Sequence, residues 1–114
     1  MSNNVGVWKN GESVAVQFLI KSGYKILQTN FRCRIGEIDI IAQHKKSNVL
    51  VFVEVKAKTN TNFGLPREMV TLKKQNKIRQ VAMCYLQQIG EEKECRFDVI
   101  EVLNGNINHI KNAF

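Results

Sequence analysis

The sequence predicts an α/β fold in which a mixed β-sheet lies between helices. Two long segments, near residues 7–22 and 71–88, carry apolar residues at helical spacing. The other segments are shorter and alternate between apolar and polar residues, or are continuously apolar, as strands are. One of them, Val49–Ala57, begins apolar on both faces, which is typical of a central strand. The predicted order is helix, three strands, helix, strand and a terminal hairpin strand.

The whole chain, residues 1–114, is expected to form a single domain, because its 114 residues suffice for one core and not for two. No apolar run approaches the roughly 20 residues of a membrane span. The net charge of +7 favours a polyanionic partner, either nucleic acid or an anionic membrane. The sequence carries no secretory signal, and its three widely spaced cysteines match neither a disulfide framework nor a zinc site. We therefore expect a cytoplasmic protein.

The first helix is predicted over residues 7–22, with Gly23 as its C-terminal cap. Glu12 falls on the flank of the buried face of this helix, where an unpaired carboxylate would be costly. Three explanations remain open for Glu12: a functional role, an ion pair with an arginine, or a position at the edge in water.

Two of the three following strands are expected to form a hairpin that brings acidic residues together. The three strands are Tyr24–Phe31, Glu37–Gln43 and Val49–Ala57. An even-numbered loop centred on the polar turn 45–48 places Asp39 directly opposite Glu54, with Cβ atoms roughly 4.5–5.5 Å apart. Lys56 lies two positions beyond Glu54 and therefore points the same way.

Strict alternation along the second strand assigns its side chains to two faces. Ile38, Ile40 and Ala42 are expected on one face, and Asp39 and Ile41 on the other. The acidic residue would then lie at the end of an otherwise apolar face.

The segment from Thr59 to Pro66 is polar and is predicted to be a mobile loop near the site. Thr71 fits the N-cap of a second helix that runs to about Gln88. Basic residues cluster in the first half of this helix: Lys73, Lys74, Lys77 and Arg79. Because a helix N-terminus disfavours cations, we expect the cluster to meet phosphate groups, and a solvated face is the alternative.

The C-terminal part is predicted to contain a strand, Arg96–Leu103, and a returning strand, Asn106–Ile110. The intervening Asn104-Gly105 is a strong signal for a two-residue hairpin turn. His44 and His109 are interpreted as surface or turn residues, because no second ligand lies at metal-binding spacing from either.

The opposed acids predict a metal site. Like charges facing each other at the end of an apolar strand are unfavourable, and a divalent cation removes that penalty. Oxygen ligands suit Mg²⁺ or Mn²⁺, so we expect Asp39 and Glu54 to bind such an ion and Glu12 to complete its shell. Lys56 would orient or deprotonate a water that attacks a phosphate ester. Six basic residues are expected to hold a nucleic-acid backbone: Arg32, Arg34, Lys58, Lys73, Lys74 and Lys77.

This arrangement resembles the PD-(D/E)xK nuclease superfamily, which has the restriction-endonuclease-like fold. It resembles more closely the YraN family of small bacterial proteins, which look like archaeal Holliday-junction resolvases. The similarity covers about residues 6–102 and is carried by these segments: Gly11-Glu12, Asn30-Phe31-Arg32, Gly36-Glu37-Ile38-Asp39, Phe52-Val53-Glu54-Val55-Lys56, Phe63-Gly64, Tyr85-Leu86 and Arg96-Phe97-Asp98-Val99.

The resemblance implies an αβββαβ core and a Mg²⁺-dependent nuclease-like centre in which Glu12, Asp39, Glu54 and Lys56 are the catalytic residues. Ile38 occupies the proline position of the superfamily motif. Lys58 stands where an arginine is usual, which weakens a bidentate grip on phosphate there.

The leading functional prediction is a metal-dependent nuclease that hydrolyses phosphodiester bonds in structured or branched DNA. One alternative is a non-catalytic nucleic-acid-binding module that retains the nuclease fold. Another is a protein-interaction factor in which Asp39 pairs with an arginine and Glu54 with Lys56 as structural ion pairs. In the nuclease interpretation the partner is DNA and not a membrane, and a homodimer is expected by analogy with resolvases, which cut two strands symmetrically.

Overall fold

The computed structural model describes residues 11–58 and 70–114. Within these ranges the elements are α1 (Glu12–Lys21), β1 (Tyr24–Arg32), β2 (Glu37–His44), β3 (Leu50–Lys58), α2 (Leu72–Ile89), β4 (Cys95–Leu103) and β5 (Asn106–Ile110). The strands form one sheet in the order β1-β2-β3-β4-β5. β3 and β4 run parallel and the other neighbouring strands are antiparallel, so the sheet is mixed as predicted.

The two helices cover opposite faces of the sheet. Ala15 and Leu19 of α1 pack with one set of strand side chains, which includes Val51. Ile78 and Val81 of α2 pack with another set on the opposite face. β3 is therefore the central strand that its apolar faces predicted, and the fold is the restriction-endonuclease-like αβββαβ core with a C-terminal hairpin.

Gly11 determines how closely the start of α1 approaches the sheet. It is the N-cap residue and has a φ of 77°, a left-handed conformation that glycine adopts readily. A Cβ at this position would lie 3.3 Å from the Cβ atoms of Ala57 and Val102. The absence of a side chain thus brings the first helical residue, Glu12, against the ends of β3 and β4. The predicted helical residues 7–10 lie outside the described residues.

The β2–β3 hairpin has the predicted register, and its described ladder runs from Gln43↔Leu50 to Ile40↔Val53. Beyond that point Asp39 contacts β3 through its side chain, because Asp39 Oδ2 accepts a hydrogen bond of 2.8 Å from the Val55 N–H. A carboxylate that accepts a backbone N–H is held in one orientation. Asp39 therefore contacts β3 at Val55, while the predicted pair of Asp39 with Glu54 is not part of the described ladder.

The predicted alternation of faces along β2 is wrong at one position. Ile40 and Ala42 pack on the α1 side, but Ile38 packs on the α2 side together with Ile41. The change of face falls between Ile38 and Ile40, and Asn30, which lies opposite in β1, has a left-handed φ of 53°. Local irregularity of this kind redirects side chains relative to a regular pleat.

The second half of the chain follows the sequence prediction closely. Thr71 is the N-cap of α2, and its side chain accepts a hydrogen bond of 3.2 Å from Lys74 N. Asn104 and Gly105 have φ values of 50° and 84°, as a two-residue hairpin turn of the I′ type requires. The loop predicted from Thr59 to Pro66 falls outside the described part of the chain.

Asp98 anchors a buried polar network that joins β4, β5 and the C-terminal residues. Its fully buried carboxylate accepts hydrogen bonds from Arg96 Nε at 2.9 Å, Arg96 Nη2 at 2.8 Å and the Asn112 N–H at 3.1 Å. His109 Nε2 lies 2.7 Å from Asp98 Oδ2, and Arg96 also donates to the hydroxyl of Tyr24 at 2.6 Å. The interpretation of His109 as a surface or turn residue is therefore wrong, whereas His44 does lie at the β2–β3 turn, 2.9 Å from Ser47 Oγ.

None of the helices in residues 11–58 and 70–114 is long and apolar enough to cross a membrane.

Candidate active site

A pocket of about 690 Å³ lies where α1, the β1–β2 link, the C-terminal half of β3 and the start of α2 meet. The charged residues that line it are Glu12, Glu37, Asp39, Glu54, Lys56, Lys73, Lys74 and Lys77. Three acids and four lysines of the predicted site therefore share one concave surface. The convergence follows from the fold, because each element ends or begins at this edge of the sheet.

The two acids of the hairpin lie at the base of this pocket. Both Asp39 and Glu54 are buried, with 9% and 7% of their surfaces exposed. Glu54 lies on central strand β3, and Asp39 reaches toward that strand through its hydrogen bond to Val55. Two buried carboxylates that line one pocket concentrate negative charge, and such sites attract cations.

Two ammonium groups already lie against Glu54. Lys74 Nζ of α2 is 2.8 Å from Glu54 Oε2, and Lys56 Nζ of β3 is 3.7 Å from the same oxygen. Burial acts to lower the pKa of Lys74, but the hydrogen bond to Glu54 and the charges of Glu54 and Asp39 outweigh it, so this pKa is raised. The Glu54–Lys56 pair proposed as a structural alternative is thus present but longer than the contact made by Lys74.

Glu12 enters the pocket from the other side of the sheet. It is 1% exposed, so the alternative that it lies at the edge in water is wrong. Asn30 of β1 donates a hydrogen bond of 3.2 Å to Glu12 Oε1, and Asn30 itself has a left-handed φ of 53°. Asparagine adopts this conformation more readily than most residues, which explains how β1 can turn an amide toward Glu12.

The predicted nucleic-acid-binding residues divide into two groups. Lys73, Lys74 and Lys77 line the pocket. Arg32 and Arg34 are exposed residues of β1 and the link that follows it, and Arg32 Nε forms an ion pair of 3.0 Å with Glu37 Oε1. Lys58 is the last residue of β3, so its backbone lies at the same edge of the sheet.

Two polar residues near the site, half-buried Asn30 and buried Glu101, were given no role from the sequence. Asn30 holds Glu12, and its sequence signals are an asparagine inside a strand pattern and its place in a segment that carries the family resemblance. Glu101 of β4 is 8% exposed and is the partner of Lys56 in the parallel ladder. The sequence offers one signal for Glu101. It shares a strand face with the apolar residues Phe97 and Val99, where an acid is unexpected.

The arrangement suits an ion that takes few protein ligands. Across residues 11–58 and 70–114, no three His, Cys, Asp or Glu side chains cluster closely enough to hold a metal by themselves. Mg²⁺ is commonly held by one or two carboxylates and otherwise by water and substrate phosphate, so Asp39 and Glu54 fit its usual requirement. The ammonium of Lys74 lies against Glu54, which shows that this part of the pocket favours positive charge. Direct ligation by Glu12 stays a prediction.

Fold and pocket together define a protein of the restriction-endonuclease-like α/β class. Residues 11–102 match the family described as "Uncharacterised protein family UPF0102". The chain belongs to this family, also known as YraN, and the resemblance found in the sequence is confirmed.

Similar proteins carry the same family name over nearly the full chain. A UPF0102 protein of Caldicellulosiruptor bescii is 50% identical and the alignment covers 95% of this chain and 96% of the relative. One from Caldanaerobacter subterraneus subsp. tengcongensis is 49% identical, with 98% and 97% covered. Another from Clostridium botulinum is 44% identical, with 97% and 95% covered.

Proposed function

We propose that this protein is a divalent-metal-dependent nuclease that hydrolyses phosphodiester bonds in structured or branched DNA. The observation that carries the proposal is the convergence of Asp39, Glu54 and Lys56 with the lysines of α2 in one pocket. This reaction requires acids that bind a metal, an amine that orients the attacking water, and cations that bind phosphate. The preference for branched DNA rests on the resemblance to resolvases.

In this proposal Asp39 and Glu54 would hold Mg²⁺ or Mn²⁺, which would supply a bound water of lowered pKa and polarise a phosphodiester oxygen. Lys56 orients the attacking water or offsets the charge that develops on the phosphorus oxygens. Glu12 accepts a hydrogen bond from water in the same pocket, in an orientation that Asn30 fixes. Lys73 and Lys77 hold the flanking phosphates without reading the base sequence.

The direct experiment is a cleavage assay with the purified protein and a panel of labelled DNAs: a linear duplex, a flap, a fork and a four-way junction. We expect Mg²⁺- or Mn²⁺-dependent nicking of at least one branched DNA. A folded protein that binds the metal and cuts none of the panel would remove the nuclease proposal.

The binding-module alternative is favoured by one observation, the ion pair in which Lys74 already neutralises Glu54. Thermal denaturation in a Mn²⁺ titration separates the two functions. A nuclease centre predicts a rising melting temperature, because a ligand that binds only the folded state stabilises it by RT ln(1 + [L]/Kd). Asp39→Asn, which keeps an oxygen acceptor for the Val55 N–H, should lose this response. A flat response in both proteins would favour the binding module.

A further inference from the structure

Lys74 differs from the other lysines of the pocket in what it contacts. Its ammonium is 2.8 Å from Glu54 Oε2, a charge-assisted contact to the carboxylate that the proposed function assigns to the metal. Among the described residues, neither Lys73 nor Lys77 forms an ion pair with a carboxylate, although both line the same pocket. Lys74 therefore occupies the locus that the proposed metal would take.

The two partners of this ion pair differ in solvent exposure. The Glu54 side chain is 8% exposed and projects from the central strand, whereas that of Lys74 is 46% exposed on a surface helix. A lysine has a flexible four-carbon stem, so its ammonium can swing several ångströms while its Cα stays in place. The helix start itself is fixed by the Thr71 cap, which accepts the Lys74 N–H. Any rearrangement on cation binding would thus fall on the Lys74 side chain.

Four acids and four lysines line the pocket, so their formal charges cancel and a divalent ion added alone leaves an excess of positive charge. A phosphodiester entering the pocket supplies negative charge and gives the displaced ammonium a new partner. Cation and phosphate would therefore each favour the binding of the other, which is a reciprocal coupling between two ligands.

We propose that Lys74 is an exchangeable counter-charge: its ammonium competes with the divalent ion for Glu54 and moves to a substrate phosphate when the ion binds. This inference rests on the proposed function and adds its regulation, since the DNA-free protein binds the metal and a phosphodiester makes that binding tighter. Lys74 is then distinct from Lys73 and Lys77, which bind phosphate without competing for a carboxylate.

The test is calorimetric titration of Mn²⁺ into the DNA-free protein. Lys74→Gln, which removes the competing charge, should bind Mn²⁺ about tenfold more tightly than the wild type, within the usual range of coupling between sites. Lys77→Gln makes the same charge change on the same helix without touching Glu54, so its affinity for Mn²⁺ should stay within about twofold. Lys74→Arg keeps the charge and should keep the wild-type affinity, while circular dichroism checks that each variant is folded.

The second readout is the effect of Mn²⁺ on binding of a fluorescent DNA hairpin with hydrolysis-resistant phosphorothioate linkages. Mn²⁺ should strengthen DNA binding by the wild type and by Lys77→Gln at least about fivefold, and clearly less for Lys74→Gln. Unchanged or weaker Mn²⁺ affinity in Lys74→Gln would overturn the inference. An increase in Mn²⁺ affinity in Lys77→Gln equal to that in Lys74→Gln would also overturn it. If the wild type binds no Mn²⁺ at all, the proposed function fails and the inference fails with it.

Discussion

Replacing Glu54 by Gln should lower the rate of metal-dependent DNA cleavage roughly 10³-fold, because one preorganised charge at a reacting centre is commonly worth that much. Glutamine has nearly the same shape and still accepts a hydrogen bond from Lys74, so the fold should be retained. The lost negative charge removes a metal ligand but not the lysines that line the pocket. Affinity for DNA should therefore be unchanged or higher while cutting is lost.

Glu37→Gln is the matched control for this variant. Glu37 lines the same pocket and its described ion pair is with Arg32, so the substitution makes the same change of charge away from Glu54. Its cleavage rate should stay within about tenfold of wild type, a difference of 1.4 kcal/mol or less. If both variants lose cleavage rate to the same extent, the total charge of the pocket, and not metal ligation by Glu54, governs the rate.

Asp98→Asn should destabilise the protein by roughly 3–5 kcal/mol, the usual cost of breaking a buried ion pair on one side. The carboxylate is fully buried, and the substitution leaves the Arg96 guanidinium, 17% exposed, without its charged partner. The network also ties Asn112 and His109 to β4, so the C-terminal hairpin should lose protection from hydrogen exchange first. Urea denaturation measures the change in the free energy of unfolding.

The same carboxylate predicts how stability depends on pH. Burial acts to raise the pKa of Asp98, but hydrogen bonds from His109, Arg96 and the Asn112 N–H outweigh it, so the pKa is lowered. A lowered folded-state pKa stabilises the protein above the unfolded-state value of about 3.9, and this stabilisation is lost as the pH falls through the folded-state pKa. The difference in the free energy of unfolding between the wild type and Asp98→Asn should therefore become smaller below about pH 4.

The control for Asp98 is Glu92→Gln, an exposed acid in the loop before β4, which should change stability by no more than about 0.5 kcal/mol. A typical hydrogen bond to a charged group contributes more than about 1 kcal/mol. If Asp98→Asn lowers the free energy of unfolding by less than this, the structural role of the network is contradicted.

The sequence alone predicted the features that depend on local pattern. The β2–β3 register follows from the length of the polar turn, and the structure has the predicted pairing from Gln43↔Leu50 to Ile40↔Val53. Thr71 as a helix cap and Asn104-Gly105 as a hairpin turn depend on short-range backbone preferences, and both are confirmed. Features of this kind need only neighbouring residues, so periodicity and turn chemistry suffice.

Features that depend on distant parts of the chain were missed. His109 was taken for a surface residue because its partner, Asp98, meets it only across the β4–β5 hairpin. The contact of Lys74 with Glu54 was not predicted, because it depends on how α2 docks on the sheet, and the expected contact of Lys74 with phosphate stays a prediction. Ile38 was assigned to the wrong face because strict alternation takes no account of an irregularity on the neighbouring strand, where Asn30 has a left-handed φ. In each case a long-range contact overrides a local rule.

The most direct test of the account is a crystal structure of the protein soaked in Mn²⁺, with anomalous scattering recorded to locate the ion. The account predicts one peak in contact with carboxylate oxygens of both Asp39 and Glu54, at about 2.0–2.2 Å, with the Lys74 ammonium displaced from Glu54. Saturating Mn²⁺ that leaves this position without a peak, and Lys74 still bound to Glu54, would contradict it.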